Sequence, residues 1–331
     1  MTDDLDRKII HCLRCAPRVS FRRISEVIGA SEQTVARRYN ALRRDGLLRV
    51  VGRVSPAVHG QAEWVARLRC RPGRVGPLAD SLAHRAEITY ANIASGGSEI
   101  ICIVRSPSGE QRDEMLLSRL PQVPPVLSVS VDLLVHSFSS APGTAGWTGH
   151  EASLTPEQVR QLTTERTAPA GPAVVPTSED AQFLTALADD GRVSQTRLAE
   201  LTGWSKPRVA RRLEALESAG TVTYIVDALP ERLGYELNAT LWIQVHLADL
   251  HRVGEEISRH DECAFAGAMS GQHNIMAVVV ARNTPDFYRY LTGRLARVDG
   301  IKGYEISIRV RRLKQGASLI RHGRLINPAH V

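Results

Sequence analysis

The stretch VARRYNAL occupies residues 35–42, and the nearly identical stretch VARRLEAL occupies residues 209–216. In both, apolar residues recur at the spacing of one helix face, and two consecutive arginines fall on the other side. Two versions of one arginine-bearing helix in a single chain raise the question of how far the similarity extends.

The similarity continues on both sides of these octets at a constant separation of 174 positions. Asp6 corresponds to Asp180, the triplet Arg-Val-Ser at 18–20 recurs at 192–194, and several glycines, serines and prolines coincide. A period this long indicates a duplicated pair of domains, because solenoid repeats have periods of about 20–50 residues.

Each copy opens with three short helical patterns. In the first copy the apolar faces of the first two helices comprise Leu5, Ile9, Ile10, Leu13, Ile24, Val27 and Ile28. Gly29 then predicts a tight turn, Ser31 an N-cap for the third helix and Gly46 its C-terminal end. The stretch LLRVVGRV, residues 47–54, predicts a β-hairpin with Gly52 at its turn. Three helices followed by a hairpin form a winged helix-turn-helix.

The third helix has the composition of a DNA-reading helix. With Val35, Tyr39 and Leu42 packed inward, small, polar and basic residues face outward, as entry into a major groove requires. The candidate DNA-binding residues are Ser31, Gln33, Thr34, Arg37 and Arg38 in the first copy and Ser205, Lys206, Arg208, Arg211 and Arg212 in the second. A solvated charged face is the ordinary alternative for one such helix, but recurrence after the same Gly-x-Ser turn favours double-stranded DNA as a partner.

The two copies differ in charge. Residues 1–55 contain 12 arginines and lysines against 6 acidic residues, whereas residues 179–230 contain 6 against 8. Because phosphate neutralisation dominates DNA affinity, we expect the first copy to make the stronger DNA contact, with Arg37 and Arg38 contributing most.

After each wing, strands and helices alternate in the order βαββαβ, which predicts a ferredoxin-like domain in each copy. The strands are predicted at WVARLRC (64–70), ITYANIAS (88–95), EIICIVRS (99–106), VLSVSVDLLV (126–135), ATLWIQVHL (239–247), CAFAGAMS (263–270), NIMAVVVAR (274–282) and YEISIRVRRL (304–313). Helices are predicted up to His84, at 108–120, up to His260 and at 285–296. The predicted fold class is therefore α+β, with two winged helix-turn-helix and two ferredoxin-like domains in tandem.

This arrangement resembles the leucine-responsive/asparagine-synthase regulators, the Lrp/AsnC family, over nearly the whole chain and twice. The motifs that carry the resemblance are LDRKI at the start, RVS before the second helix, Ser-x-x-x-Val-x-Arg-Arg in the third, and a glycine loop between the second and third strands. That loop reads Gly96-Gly97-Ser98-Glu99-Ile100 in the first copy and Gly271-Gln272-His273-Asn274-Ile275 in the second.

The resemblance implies a sequence-specific regulator of transcription that responds to an amino acid or a related metabolite. It also implies that Gly96, Glu99, Gly271 and Asn274 contribute to ligand binding. The chain departs from the family where an aspartate is usual, since it has Glu99 and Asn274 there, and an amide does not offer an amino group the same charge. A turn that merely requires glycine is the structural alternative for each loop.

The domain boundaries follow from the repeat and from a Gly-, Pro- and Ser-rich middle. We predict a winged helix-turn-helix at 1–56, a ferredoxin-like domain at 62–136, a linker with a short helix at 137–178, a second winged helix-turn-helix at 179–230, a second ferredoxin-like domain at 236–314 and a tail at 315–331. Thr155 and Gln158 form a capping box for the linker helix.

Composition restricts the remaining classes of function. The chain has 331 residues and a formal net charge of +7, without an apolar run long enough to cross a bilayer or to serve as a secretion signal. The five cysteines are scattered and odd in number, which favours reduced, buried thiols. Cys12-x-x-Cys15 has no second pair at zinc spacing. We expect a cytoplasmic protein with no metal, no cofactor and no catalytic residues.

Two other interpretations remain open. Relatives of this fold resemble haem-precursor decarboxylases, which hold tetrapyrrole carboxylates with gathered histidines and arginines; here the histidines of the αβ regions are scattered, at His59, His84, His246, His251, His260 and His273. The acidic second helical domain also suits a sensor that acts through protein partners.

Finally, we expect the two αβ domains to pair within one chain and chains to self-associate into dimers or larger oligomers. The apolar sheet faces predicted to meet contain Val65 and Ile103 in one copy and Ile243 and Val279 in the other. Leaving such side chains in water costs about 1.5–3 kcal/mol each.

Overall fold

The duplication in the sequence is also present in the structure. The computed structural model describes residues 3–55, 58, 60–105, 124–138, 154–163, 174–316 and 318–328. Its helices are α1 (Asp4–Cys15), α2 (Phe21–Ile28), α3 (Glu32–Arg44), α4 (Val75–His84), α5 (Pro156–Thr163), α6 (Ala181–Asp189), α7 (Gln195–Thr202), α8 (Lys206–Ser218), α9 (Leu250–Ser258) and α10 (Thr284–Arg289). Its strands are β1 (Leu48–Val54), β2 (Glu63–Cys70), β3 (Ile88–Ala94), β4 (Glu99–Arg105), β5 (Val126–Ser137), β6 (Val222–Ala228), β7 (Leu237–Val245), β8 (Cys263–Met269), β9 (Ile275–Ala281), β10 (Ile301–Gln315), β11 (Ser318–Arg321) and β12 (Arg324–Ile326). The helix expected at 108–120 lies outside the described residues.

Each helical domain packs three helices around a small apolar core. In the first, α1, α2 and α3 bury the predicted faces, with Ile9, Leu13, Ile24 and Val35 fully enclosed. In the second, Phe183, Leu187, Leu198, Val209 and Leu216 take the same role in α6, α7 and α8. The helical spacing that the sequence shows is therefore confirmed in both copies.

The predicted hairpin at 47–54 is wrong. This stretch is the single strand β1, which pairs antiparallel with β6 of the second copy, from Leu48 opposite Ala228 to Val54 opposite Val222. Gly52 lies inside the strand; a Cβ there would come within 2.9 Å of the Leu187 Cβ. The glycine allows close packing and makes no turn, so the wings of the two helical domains form one shared β-ladder.

Two equivalent arginines hold the helical domains together reciprocally. Arg18 donates to the backbone carbonyls of Gly191 and Val193, the latter at 3.1 Å. Arg192 donates to the carbonyls of Pro17 and Val19 at 2.7 and 2.8 Å. Hydrogen bonds from charged donors are the stronger kind, and these four join the same loop in both copies.

Both αβ domains have the strand order of the predicted ferredoxin-like fold. The strand order is β3-β4-β2-β5 in the first and β8-β9-β7-β10 in the second. Helix α4 packs on the first sheet, and α9 and α10 pack on the second. Because helices cover only one face of each sheet, the other face requires a partner.

The partner is the other copy, and the two sheets join into a closed barrel of eight strands. Strand β5 pairs with β8, and β10 pairs with both β7 and β3. The interior cluster contains Val65, Ala94, Ile101, Trp242, Met269 and Met276, with Ile103 beside it. Pairing of the sheets within the chain thus agrees with expectation, as do the interior positions of Val65 and Ile103.

The interior positions assigned to the second sheet were wrong. Ile243 and Val279 pack under the helices of the second αβ domain, and their neighbours Trp242 and Met276 point into the barrel. Adjacent strand residues face opposite sides, and β7 and β9 are buried on both, so the apolar pattern does not reveal which side is inside.

The short helix α5 and the C-terminal segment fasten the helical domains to the rest. At the start of α5, Thr155 and Gln158 exchange the predicted capping-box hydrogen bonds, and Gln158 Nε2 donates to the carbonyl of Val27 at 2.7 Å. The segment expected to be a tail contains the hairpin β11–β12. Its Leu325 N–H donates to the carbonyl of Gly46, just after α3, at 2.7 Å.

The cysteines and the helix lengths bear on the predictions from composition. All five cysteines are buried and free of disulfides. Burial raises the pKa of Cys12, Cys102 and Cys263 to about 12, which keeps these thiols protonated and unreactive. No helix within the described ranges combines the length and hydrophobicity needed to span a bilayer.

Burial of His11 in α1 predicts a loss of stability in mild acid. Desolvation lowers the pKa of this imidazole from 6.5 to about 4. The unfolded chain therefore takes up a proton at higher pH than the folded chain, so stability present above pH 6.5 is lost as the pH falls towards 4. We expect the urea unfolding free energy of the native protein to fall by about 3 kcal/mol more than that of His11→Leu over this range. Parallel pH profiles for the two proteins would contradict the assignment.

Candidate nucleic-acid interface and glycine loops

Helix α3 is presented to solvent by the turn and the cap predicted from the sequence. Gly29 ends α2 in the left-handed conformation with φ of 69°. Ser31 Oγ accepts a hydrogen bond from the backbone N–H of Thr34 at 3.1 Å and donates to Thr34 Oγ1 at 2.8 Å. Val35, Tyr39 and Leu42 are buried, so the predicted orientation of the helix is confirmed.

The open face of α3 is formed by Gln33 and Arg37, one helical turn apart. Both side chains are exposed. Within the described part of the chain, Arg37 forms no ion pair with a carboxylate. The Gln33 amide can both donate and accept hydrogen bonds, and the Arg37 guanidinium has no carboxylate partner among the described residues. Such groups contact base edges and phosphates, so Gln33 and Arg37 form the centre of the candidate interface.

Arg38 and Arg212 are not on this open face. Arg38 forms ion pairs with Asp3 at 2.7 Å and Asp6 at 3.6 Å, and about a third of its side chain is exposed. The equivalent Arg212 donates through Nε to buried Asp180 at 2.8 Å, and this bond lowers the pKa of the carboxyl group. Each arginine therefore ties its third helix to the start of the first helix of its domain. A DNA contact by Arg38 or Arg212 stays a prediction.

Helix α8 presents a similar face, but more of its side chains are paired with other residues of the protein. Ser205 and Lys206 are exposed at its start, although the Ser205 side chain makes no capping hydrogen bond. Arg208 pairs with Glu179 at 2.5 Å and lies over the Trp204 ring, 4.3 Å from its centroid. Exposed Arg211 is the counterpart of Arg37, and among the residues described it too lacks a carboxylate partner.

The first glycine loop, between β3 and β4, encloses its acidic residue. Gly96 has φ of 66°, and a side chain there would meet open space. Glu99 is 3% exposed. Its Oε1 accepts from Arg67 Nε at 2.7 Å, and its Oε2 accepts from the hydroxyls of Ser95 at 2.8 Å and Ser307 at 2.6 Å.

Arg67 extends this hydrogen bonding into the second copy. Its guanidinium donates to both carboxylate oxygens of Glu305 and lies 4.1 Å from the centroid of the Trp242 ring. Trp242 Nε1 in turn donates to Ser307 Oγ at 2.9 Å. Burial lowers the pKa of Arg67, but its bonds to Glu305 and Glu99 outweigh that effect and raise it. We refer to Arg67, Glu99, Trp242, Glu305 and Ser307 as the Arg67 network.

The second glycine loop, between β8 and β9, is used differently. The Asn274 side chain accepts from the backbone N–H of Val245 at 2.9 Å and donates to its carbonyl at 3.0 Å, which secures the end of β7. A Cβ on Gly271 would lie 2.3 Å from Asp132 Oδ1 of the first copy. The close approach is made by the end of the Asp132 side chain on strand β5, so the loop packs directly against the first copy.

Both loops thus contribute to joining the two copies. Glu99 and Asn274 are buried, and their polar atoms already have partners inside the protein. Binding of a ligand by these two side chains and by Gly96 and Gly271 remains a prediction. The hydrogen-bonding groups of Glu99 and Asn274 are already bonded to other groups of the protein.

Arg67 and Trp242 were not among the site residues predicted from the sequence. An arginine at the centre of the apolar strand WVARLRC was the signal that the first sheet carries a buried charge. The two partners that neutralise it, Glu99 and Glu305, lie far apart in the chain, so spacing alone does not connect them.

Comparison with known proteins agrees with this architecture. An AsnC-type helix-turn-helix model matches residues 3–43, a winged helix-turn-helix DNA-binding model matches 184–223, and the Lrp/AsnC ligand-binding domain matches 238–319. The chain contains the domains of the Lrp/AsnC family. Strands β2, β3, β4 and β5, between the first two matches, have the same order as the strands of the matched ligand-binding domain and form the other half of the barrel.

Individual Lrp/AsnC relatives correspond in length to one copy. The transcriptional regulator LrpA of Pyrococcus abyssi is 29% identical over 136 residues, which cover 41% of this chain and 96% of the relative. LrpA1 of Halobacterium salinarum is 27% identical over 138 residues, covering 41% and 97%. This Lrp/AsnC chain is therefore a tandem form with both halves in one polypeptide.

A solved structure shares the tandem arrangement. The crystal structure of the siroheme decarboxylase NirDL superimposes with a TM-score of 0.62 at 13% sequence identity, over 95% of this chain and 93% of that one. At this identity the likeness shows that the fold is common to both and says nothing of activity.

Proposed function

We propose that this tandem Lrp/AsnC protein is a sequence-specific DNA-binding regulator of transcription. The observation that carries the proposal is the open face of α3, where Gln33 and Arg37 are exposed on a helix whose opposite face is buried. The matching helix-turn-helix models and the regulator names of the relatives support it. Entry of such a helix into the major groove places both side chains against base edges and phosphates.

Under this proposal the two recognition helices, α3 and α8, differ in their affinity for DNA. The first helical domain has a net charge of +6 and the second of −2 over the stretches compared above. In addition, Arg208 and Arg212 are paired with Glu179 and Asp180. We therefore assign the principal contact to α3 and a weaker or auxiliary contact to α8.

Arg37→Ala should weaken operator binding by about 1–3 kcal/mol if Arg37 pairs with a base, or reduce the salt dependence by about one unit of slope if it pairs with a phosphate. Fluorescence anisotropy with DNA from around the protein's own gene, repeated at several salt concentrations, separates the two cases. Arg211→Ala is the matched variant in α8, and we expect it to have the smaller effect.

The ranking of the two copies is wrong if Arg211→Ala loses binding and Arg37→Ala retains it. The proposal itself fails if the native protein retains no sequence-specific affinity for any fragment in a genomic selection. Arg38→Ala is not a clean test, because it also releases Asp3 and Asp6 from their ion pairs.

We further propose that a small molecule, an amino acid or a related metabolite, regulates DNA binding. The match to the Lrp/AsnC ligand-binding domain supports this. The loops around Gly96 and Gly271 are where the family resemblance places the ligand, although Glu99 and Asn274 are occupied by bonds within the protein.

A tetrapyrrole decarboxylase is the second candidate function, and it rests on the overall likeness to NirDL. It predicts a strong visible absorption band when the protein is mixed with an iron tetrapyrrole, and loss of carboxyl groups from that compound. DNA retardation without such a band supports the regulator.

Association of chains, and action through protein partners, remain proposals. The argument from exposed sheet faces no longer requires a second chain, since each sheet already covers the other inside the barrel. A DNA-binding protein with one high-affinity recognition helix per chain still needs two chains to contact two half-sites one DNA turn apart.

A further inference from the structure

A cavity of about 1190 Å³ lies between the paired helical domains and one end of the barrel. Its walls include the loop after α1, the inner side of α8, strand β6, and inward-facing residues of β3, β4, β7, β8, β9 and β10. Both helical domains and both αβ domains therefore contribute to it. Ligand sites typically measure about 300–1000 Å³, so the cavity has room for a small molecule with accompanying water.

One wall of the cavity is basic and shielded from bulk solvent. The side chains of Arg309 and Arg312 are each 6% exposed, and both contact the same oxygen of Glu231 at 3.2 Å. Arg309 also donates to the Tyr90 hydroxyl at 3.1 Å. Arg312 Nε is buried and has no hydrogen-bond acceptor within the described residues. One partly exposed carboxylate thus serves two enclosed guanidinium groups.

Arg14 adds a third positive charge within electrostatic reach of Arg312. Burial lowers the pKa of both guanidinium groups to about 10, so both remain charged at neutral pH. The further carboxylate, Asp227, is fully buried and accepts a hydrogen bond from the Ser318 hydroxyl at 2.6 Å. With Arg18 and Arg23, the described arginines that line the cavity number five, one more than the described carboxylates that line it or pair with them, which are Glu214, Glu217, Asp227 and Glu231.

An excess charge in such a place is costly unless a counter-charge accompanies it. Removal of one partner from a buried ion pair destabilises a protein several-fold more than removal of one partner from an exposed pair, because the remaining charge is poorly solvated. An anion that enters the cavity gains the attraction of these arginines in surroundings of low dielectric constant.

Another part of the cavity wall is apolar. Ile101, Ile103, Phe265, Met276 and Val278 line it, and several of them belong to the barrel interior. A purely inorganic anion leaves this wall uncovered, whereas a ligand with a hydrocarbon or aromatic body covers it and removes apolar surface from water.

We propose that this cavity binds an organic acid, with its carboxylate on Arg309 and Arg312 and its apolar body against the barrel residues. The site differs from the glycine loops, whose polar side chains are already bonded within the protein. Its walls join α8 and the loop after α1 to both sheets, so an occupant contacts the elements that set the positions of the two reading helices. The regulatory consequence, a change in DNA affinity on binding, rests on the proposed function; the binding site itself does not.

Binding is tested on the full-length protein with 8-anilinonaphthalene-1-sulfonate, a fluorescent organic anion with an aromatic body. We expect one probe molecule per chain, displaced by decanoate but not by decanol. Arg309→Gln and Arg312→Gln should each weaken binding about tenfold, since a hydrogen bond to a charged group is worth roughly that factor. Arg297→Gln, an exposed arginine outside the cavity, is the matched control and should bind as the native protein does.

A second variant keeps the test decisive if an arginine variant folds poorly. Val278→Trp fills the apolar side and leaves the arginines in place, and it should abolish probe binding with an unchanged circular dichroism spectrum. Equal binding by all variants, or equal displacement by decanol, overturns the proposal. An operator titration with and without decanoate separates the outcomes: a bound acid without an effect on DNA affinity removes only the regulatory consequence, and absence of DNA binding removes only the proposed function.

Discussion

Trp242→Ala is expected to lower the free energy of unfolding by about 4 kcal/mol, the range found when a large buried aromatic residue is truncated. Trp242 is 1% exposed and lies in the barrel interior among Val65, Ile101 and Met276. The substitution removes the ring that Arg67 lies over, and it leaves the Ser307 hydroxyl without its donor. Urea denaturation followed by far-ultraviolet circular dichroism measures the loss, because the remaining tryptophans complicate fluorescence.

Trp242→Phe provides the comparison. It keeps an aromatic ring beneath Arg67 and removes the indole N–H, so the expected loss is about 1–2 kcal/mol. If the alanine variant is no less stable than the phenylalanine variant, the ring is not the centre of the contact between the two sheets.

Gly191→Val should separate the helical domains and abolish operator binding, although residue 191 lies outside both reading helices. A Cβ at Gly191 would lie 2.9 Å from the carbonyl carbon of Val51 and 3.0 Å from the backbone nitrogen of Gly52. Backbone atoms of a paired strand cannot rotate away, so β1 must shift and its pairing with β6 must weaken. We expect a loss of about 3 kcal/mol in stability and a large loss of DNA affinity.

Gly293→Ala is the control for this prediction, because a Cβ at that position meets nothing within 4 Å. It should retain native stability within about 0.5 kcal/mol and native DNA affinity. Small-angle scattering on Gly191→Val tests the geometry directly, since released helical domains increase the radius of gyration. Native scattering together with native DNA affinity would show that the shared ladder does not position the reading helices.

Local patterns in the sequence were sufficient for the helices and for the strand order. Val35, Tyr39 and Leu42 follow the helical period, and Gly29 and Ser31 mark the turn and the cap with residues chosen for backbone reasons. The alternation of strands and helices gave both ferredoxin-like domains because each element is at least a few residues long and separated by clear turn signals.

Strand partners and strand faces were harder to infer. A glycine inside an apolar run marks either a turn or a close approach, and Gly52 proved to be the second. The strand that β1 pairs with lies 174 positions away, beyond the reach of any hairpin argument. The hairpin β11–β12 was detectable in the sequence, because Gly323 separates two short apolar runs. In the structure His322 and Gly323 both adopt positive φ, as a two-residue hairpin turn requires.

At the candidate site, the position of a residue along the helix predicted whether its side chain is exposed. It did not predict whether that side chain forms an ion pair within the protein. Arg37 and Arg38 are neighbours with similar chemistry, yet only Arg38 meets the carboxylates at the start of α1. In the repeat Asp6 aligns with Asp180 and Arg38 with Arg212, so the ion pair that recurs in both copies was visible in the sequence as two conserved residue types. Their meeting depends on how α1 crosses α3, which periodicity does not specify.

The closed barrel has a consequence for how this protein assembles. Every one of its eight strands has a neighbour on both sides, and all eight come from a single polypeptide. A chain with only one such sheet would have to cover the open face with a separately synthesised chain, and in a cell with several similar chains it could meet the wrong one. Here the partner is translated with it in a fixed one-to-one ratio. Closure of the barrel therefore does not depend on a second chain, and the two halves are free to differ, with Glu99 in one loop and Asn274 in the other.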